Sequence, residues 1–142
     1  MATRNRAEEK KYKAYLKTLP PDICVFCDIK ENDTSHIQST KYCRVINNIF
    51  PYSLWEYVPV GDHLMITPLR HVSSLGDLND KELLDYMKLL SVYEKRGYNL
   101  HARAPSSPTK SIPHQHFHLI KTSGKQRRIT FHSKKPAYRL SI

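Results

Sequence analysis

The sequence predicts an α+β domain: an antiparallel sheet with one long helix and an N-terminal helix. Two observations predict it. Residues 80–96 repeat apolar side chains with the helical period, and short β-rich runs bounded by Pro and Gly lie on both sides of them. The resulting order of a helix, several strands, one long helix and further strands is that of segregated elements rather than alternating βαβ units.

Each element has a local reason. Residues 4–18 are rich in Lys, Glu, Ala and Tyr; Thr3 can cap them, and Tyr12, Tyr15, Leu16 and Leu19 share one helical face. Pro20-Pro21 stops this helix. Cys24-Val25-Phe26-Cys27 follows, then a polar stretch to Thr40 that reads as loop. Residues 42–50 have strand composition and end at Pro51, and Trp55 to Val60 is a second short strand. Gly61-Asp62 reads as a turn into a third strand, His63 to Thr67, closed by Pro68. Asn79 is an N-cap with Glu82 three residues on, Leu83, Leu84, Met87 and Leu90 follow the 3.6-residue period, and Gly97 suits the C′ position. Residues 98–104, 113–120, 126–133 and 138–142 are further strands, with a loop at 105–110. Residues 1–20 form an N-terminal helical extension and 21–142 the domain proper.

The 142 residues suffice for one domain that buries about two thirds of its unfolded surface. With 39% hydrophobic and 25% charged residues the composition is that of a folded chain. No apolar run approaches the roughly 18 residues of a spanning helix, and nothing reads as a signal peptide. Three cysteines are an odd count, so a reducing cytoplasm is expected rather than a disulfide scaffold. The net charge of +10 is uneven: residues 101–142 carry nine of the 23 Lys and Arg and none of the 13 Asp and Glu. A basic C-terminal third suits a polyanion, either nucleotide phosphates or nucleic acid, or is a solvated face.

The chemistry is concentrated in His114-Gln115-His116-Phe117-His118-Leu119-Ile120. In a strand, alternate side chains share a face, so three imidazoles project together with an apolar face behind them. Imidazole changes charge near neutral pH and serves as nucleophile, proton donor or metal ligand. Cys24 and Cys27 have the spacing of half a zinc site; alone they are also readable as a redox pair or a coincidence, although no thioredoxin-like pattern surrounds them.

The His-x-His-x-His run followed by two apolar residues resembles the signature of the histidine-triad family of nucleotide hydrolases and transferases, with Gln115 departing from the usual apolar residue. Gly61-Asp62-His63 with its apolar strand and Pro68-Leu69-Arg70-His71 is similar to the family's upstream block, and Asn48 to Tyr52 resembles another segment of it. The matches span about residues 24–120. The resemblance implies a nucleotidyl-histidine intermediate on His116, with His118 and His63 supporting it. It further implies Asn48 on the ribose, Ser111 near the leaving group and Asn99 near the phosphates. Arg103 and Lys110 then clamp phosphate or are loop charges. It implies structural zinc on Cys24, Cys27, His71 and His114, with His36, His101 and His132 as substitute ligands or surface residues, and a homodimer. Trp55 and Tyr52 either stack on a base or pack. The expected activity is hydrolysis at the α-phosphate of a dinucleoside polyphosphate or nucleoside phosphoramidate. The alternatives are a nucleotidyltransferase or phosphorylase, an enzyme removing adenylate from nucleic-acid ends, and a non-catalytic zinc-stabilised nucleotide-binding protein.

Overall fold

The computed structural model describes residues 2–20, 22–126, 129–131 and 138–140. Its strands are β1 (Ala2–Thr3), β2 (His36–Ser39), β3 (Cys43–Asn47), β4 (Leu54–Trp55), β5 (Val58–Pro68), β6 (Asn99–His101), β7 (Phe117–Thr122), β8 (Ile129–Phe131) and β9 (Tyr138–Leu140). The helices are α1 (Arg6–Thr18) and α2 (Asp80–Lys95). The expected α+β class holds. The centre is an antiparallel run β2-β3-β5-β7-β6, and β4 and β1 add on at the start of β5. β8 and β9 pair with each other, matching two of the predicted strands. Of the basic C-terminal third, Arg127, Arg128, Lys134 and Lys135 lie outside the described residues, as does His132.

The long β5 is the spine, pairing with β3, β4 and β7. Alternation along it sorts side chains to two faces. Leu64 and Ile66 face α2 together with Val45, Leu119, Tyr86, Leu89 and Leu90, which form the main apolar core. Met65 faces the other way, into a smaller cluster with Ile46 and Phe26. The Tyr86 hydroxyl donates to the Ile66 carbonyl at 2.9 Å, satisfying the one polar atom of a fully buried ring.

Helix α2 begins as predicted: the Asn79 side chain accepts from the Lys81 and Glu82 N–H groups, and Glu82 accepts back from the Asn79 N–H. Gly97 closes it at φ +86°. Four expectations need correction. Asn5, not Thr3, caps α1, accepting from the Glu8 N–H at 2.9 Å, while Thr3 pairs with Leu54 in the sheet. Polar residues 36–39 form strand β2 rather than loop. Gly61-Asp62 is not a turn: β5 continues through it, with a shift of register against β7 between Val60 and Asp62. The turn lies earlier, at Glu56 and Tyr57, both at positive φ (50° and 68°), which matches the right-handed twist of a two-residue hairpin. Gly61 instead allows close approach, since a Cβ there would stand 3.0 Å from the Ser123 Cβ. Finally, β7 starts at Phe117, so only His118 of the three alternating histidines lies in a strand.

Candidate active site

The segment before β7 is anchored at Gln115 by its own backbone. Gln115 donates its N–H to the Val72 carbonyl at 2.6 Å, and its carbonyl accepts from the Thr67 hydroxyl at 3.1 Å. Alternation therefore persists upstream of the strand: Phe117 and Leu119 pack toward α2, and His116 and His118 face the opposite side. Gln115 is buried there because its side chain has a partner, the Lys110 ammonium 3.1 Å from Oε1.

A cavity of about 540 Å³ opens on this face, lined by His116, His118, Asn48, Arg103, Lys110 and Ser111 among others. The Nδ1–H of His116 donates to the carbonyl of His114 at 2.7 Å, which leaves the lone pair on Nε2. Burial, with the nearby Lys110 and Arg103 charges adding to it, lowers its pKa to about 4 despite that hydrogen bond, so the ring is neutral at pH 7. His63 has its Nδ1 fixed as an acceptor by the Tyr52 N–H at 3.0 Å. Its Nε2–H then donates to His118 Nδ1, also at 3.0 Å, which puts the His118 proton on Nε2. Burial lowers His63 to about 3 and His118 well below the usual imidazole range. The Arg103 guanidinium lies 3.4 Å from His118 Nε2 and donates to the Tyr52 hydroxyl at 2.9 Å. Two donors, the His118 N–H and the guanidinium, thus converge on one small volume, and an anionic oxygen placed there satisfies both.

The other predicted residues divide. Lys110 lines the cavity and donates to the Ser73 carbonyl at 2.9 Å, with burial lowering its pKa. Ser111 lines it too, its hydroxyl hydrogen-bonded to the Tyr12 phenol. Asn48 also lines it, but its Oδ1 accepts the Phe50 N–H at 2.9 Å and its Nδ2 rests against His63. Asn99 does not reach the cavity; its Nδ2 donates to the Ile120 carbonyl at 3.1 Å. Arg103, four residues on and just past the end of β6, lines the cavity instead. Trp55 rests 5.1 Å from the His101 ring, which in turn stacks on His118 at 6.0 Å.

Cys24, Cys27, His71 and His114 come together in a second cluster, with all four donor atoms within 4.8 Å of one another. The Cys pair sits on a tight turn in which the Cys27 and Asp28 N–H groups bond the Cys24 carbonyl. His71 follows β5, where Arg70 grips Glu82 of α2 through two bonds of 2.8 and 2.6 Å. That pairing holds the Glu82 carboxyl down at about 2. The S···N separations are 3.3 Å (Cys27 to His71), 3.4 Å (Cys24 to His114) and 3.5 Å (Cys27 to His114), close to the ~3.5 Å edge of a tetrahedron with ~2.1–2.3 Å metal–ligand bonds. Burial and the neighbouring Cys24 push the Cys27 thiol up to about 11, a pair of thiols that a divalent cation would convert to thiolates. The two sulfurs and two imidazoles fit a metal ion. His36, bonded to Ser39 at 2.9 Å, and His101 take no part.

No family model matches the sequence, and neither does any curated protein. Solved structures do match. A HIT family hydrolase from Legionella pneumophila Philadelphia 1 is 24% identical over 73% of this chain and 95% of its own, with a TM-score of 0.53. A histidine triad nucleotide-binding protein from Candida albicans is 22% identical over 71% and 76%, TM-score 0.56. The diadenosine triphosphate hydrolase of Plasmodium falciparum is 16% identical over 82% of each chain, TM-score 0.55. The antiparallel sheet and its helices thus follow one architecture, and the chain has the fold of the histidine-triad proteins.

Proposed function

We propose that the protein is a nucleotide hydrolase that cleaves at an α-phosphate through a nucleotidyl intermediate on His116. The observation that carries this reading is the His116 hydrogen bond: a buried, neutral imidazole with Nδ1–H tied to the His114 carbonyl presents its Nε2 lone pair on the cavity wall. Attack by Nε2 forms a P–N bond and breaks the P–O or P–N bond to the leaving group, which departs with the electron pair. The Nδ1–H bond to the carbonyl then stabilises the positive charge on the ring. The His118 Nε2–H and Arg103 take the charge on the phosphoryl oxygens, and Lys110 adds a second cation. Water cleaves the P–N bond in the second step, as the hydrolase-named structural neighbours suggest. Asn48 and Ser111 are proposed to contact the sugar and the leaving side.

Zinc is the proposed occupant of the Cys24–Cys27–His71–His114 cluster, where it would supply a structural cross-link and hold the thiols as thiolates. The solvent-exposed Leu84 and Met87 on α2 support the proposed homodimer. Three free cysteines are in keeping with a reducing compartment such as the cytoplasm, and among the described residues no helix is long and apolar enough to cross a membrane.

The test is AMP release from diadenosine tetraphosphate and from an adenosine phosphoramidate, by wild type and by His116→Ala, read by chromatography. Release abolished in the variant supports the reading. Equal inertness of both proteins on both substrates overturns it.

A further inference from the structure

Helix α1 buries none of its residues, yet the segment carrying it is stitched across the cavity. Thr3 pairs with Leu54 and its carbonyl accepts from the Ser53 N–H at 2.8 Å. The Asn5 N–H donates to the Ser53 hydroxyl at 2.9 Å, and Arg4 Nε donates to the Phe50 carbonyl at 3.0 Å. From the far side of the cavity Tyr12 closes a bond to Ser111. This strap places a second apolar wall opposite the first. On one side of the triad Phe26 lies 5.0 Å from His116 and clusters with Ile46 and Met65. On the other, contacts run from His116 to His118 (5.0 Å), to Tyr52 (5.4 Å), to the Arg4 guanidinium (4.9 Å), to Tyr12 (4.0 Å) and on to Phe50 (5.5 Å). The cavity therefore has two apolar ends with the histidines between them.

Its charge is equally distinctive. Arg4, Arg103 and Lys110 line it against a single acid, Glu9, whose carboxylate sits 3.7 Å from Arg4. Two of the cations, Arg103 and Lys110, stand near the triad, which suffices for one phosphate. Arg4 lies beyond Tyr52, at the end where the strap closes.

We infer that Arg4 and Tyr12, with Phe50, form a leaving-group subsite that selects substrates whose departing half is a phosphate bearing a ring system, as in a dinucleoside polyphosphate, over those that expel a small amine. This rests on the hydrolase reading above. The chemistry is consistent with the charge. A polyphosphate oxygen leaves with the electron pair of the broken P–O bond and, with a pKa near 6, needs no proton, only a cation to hold it. An amine leaving group needs a proton and gains nothing from a guanidinium. The aromatic wall gives a departing nucleoside a surface that a small amine does not use.

The test is the selectivity ratio, kcat/KM for diadenosine tetraphosphate over kcat/KM for adenosine phosphoramidate, in wild type, Arg4→Gln and Tyr12→Ala. The expected result is a fall in the ratio of about tenfold or more in each variant, carried mainly by KM for the dinucleotide. A strap that only supports the fold lowers both substrates together and leaves the ratio at its wild-type value, which would overturn the inference. A second arm does not depend on turnover. In the His116→Ala background, calorimetry compares binding of diadenosine tetraphosphate and AMP with and without Arg4→Gln. A selective loss of dinucleotide affinity, about tenfold relative to AMP, supports the subsite even if the hydrolase reading fails. An equal loss for both ligands, or none, removes it.

Discussion

The two faces of the central sheet are equally dry and do different work. On the α2 face Leu119 is 0% exposed; on the cavity face its neighbour His118 is 6% exposed and His63 is 4% exposed. Adjacent residues on the same strands are thus withdrawn from water to a similar extent. Behind Leu119 stands a helix, so exclusion of water becomes stability. Around His118 stand other imidazoles and a guanidinium, so the same exclusion lowers pKa and keeps the rings neutral. Burial alone does not distinguish core from site; what matters is which groups share the dry space.

The contrast breaks most sharply at His116. His116→Ala is expected to reduce AMP release by about a thousandfold or more while leaving the melting temperature within a few degrees of wild type, because the proposed nucleophile is lost and the α2 core is untouched. Removing the proposed metal would act on the cavity side through structure. Chelation of a zinc-loaded protein is expected to cost about 4 kcal/mol of stability where free metal had stood a thousandfold above its Kd. Calorimetric melts check this, and a Cys27→Ser variant that still loses as much on chelation would contradict the cluster. On the opposite face Leu119→Ala is expected to destabilise by about 3 kcal/mol through the cavity it leaves, read by denaturant unfolding, with turnover per folded molecule much less affected than in His116→Ala.

Acid sharpens the comparison further. His63 titrates near 3 folded against about 6.5 unfolded, so between those values the unfolded chain binds the extra proton. Its contribution to stability is complete above pH 6.5 and is lost as pH falls toward 3. Melting temperatures measured from pH 7 to pH 4 should fall, and His63→Asn should flatten the slope; an unchanged slope would refute the assignment. The smallest effect lies at the α2 N-terminus, where Asn79→Ala is expected to cost about 1 kcal/mol with no change in selectivity between substrates.

What could be read in advance was local. The α2 capping box needs only Asn79 and Glu82, three residues apart, and it formed as written. The histidine alternation holds for His116 and His118 although β7 begins only at Phe117, while His114 joins the cysteine cluster instead of the cavity. The hairpin turn was missed because Glu56 and Tyr57 carry none of the Gly or Asn usual at positive φ, while Gly61-Asp62 supplied that signal at a place where glycine serves close approach to Ser123. Of the two residues offered for phosphate, Arg103 lines the cavity and Asn99 does not, because the register of β6 against β7 turns the Asn99 side chain onto the Ile120 carbonyl, and register is a long-range property. No sequence signal could have joined Arg4 to Tyr52 or Tyr12 to Ser111, since the last pair is separated by 99 positions.

The proposed metal cluster would also order events in time. Its two cysteines stand at positions 24 and 27, but its last ligand, His114, follows the whole of β5, α2 and β6. A chain emerging from the ribosome N-terminus first carries half a coordination shell through most of its synthesis. The shell closes only when the segment before β7 arrives. That same segment supplies the carbonyl orienting His116. Completion of the proposed metal site and orientation of the proposed nucleophile would therefore fall at one late moment of assembly, so a nascent or truncated chain ending before residue 114 lacks both the fourth ligand of the cluster and His116.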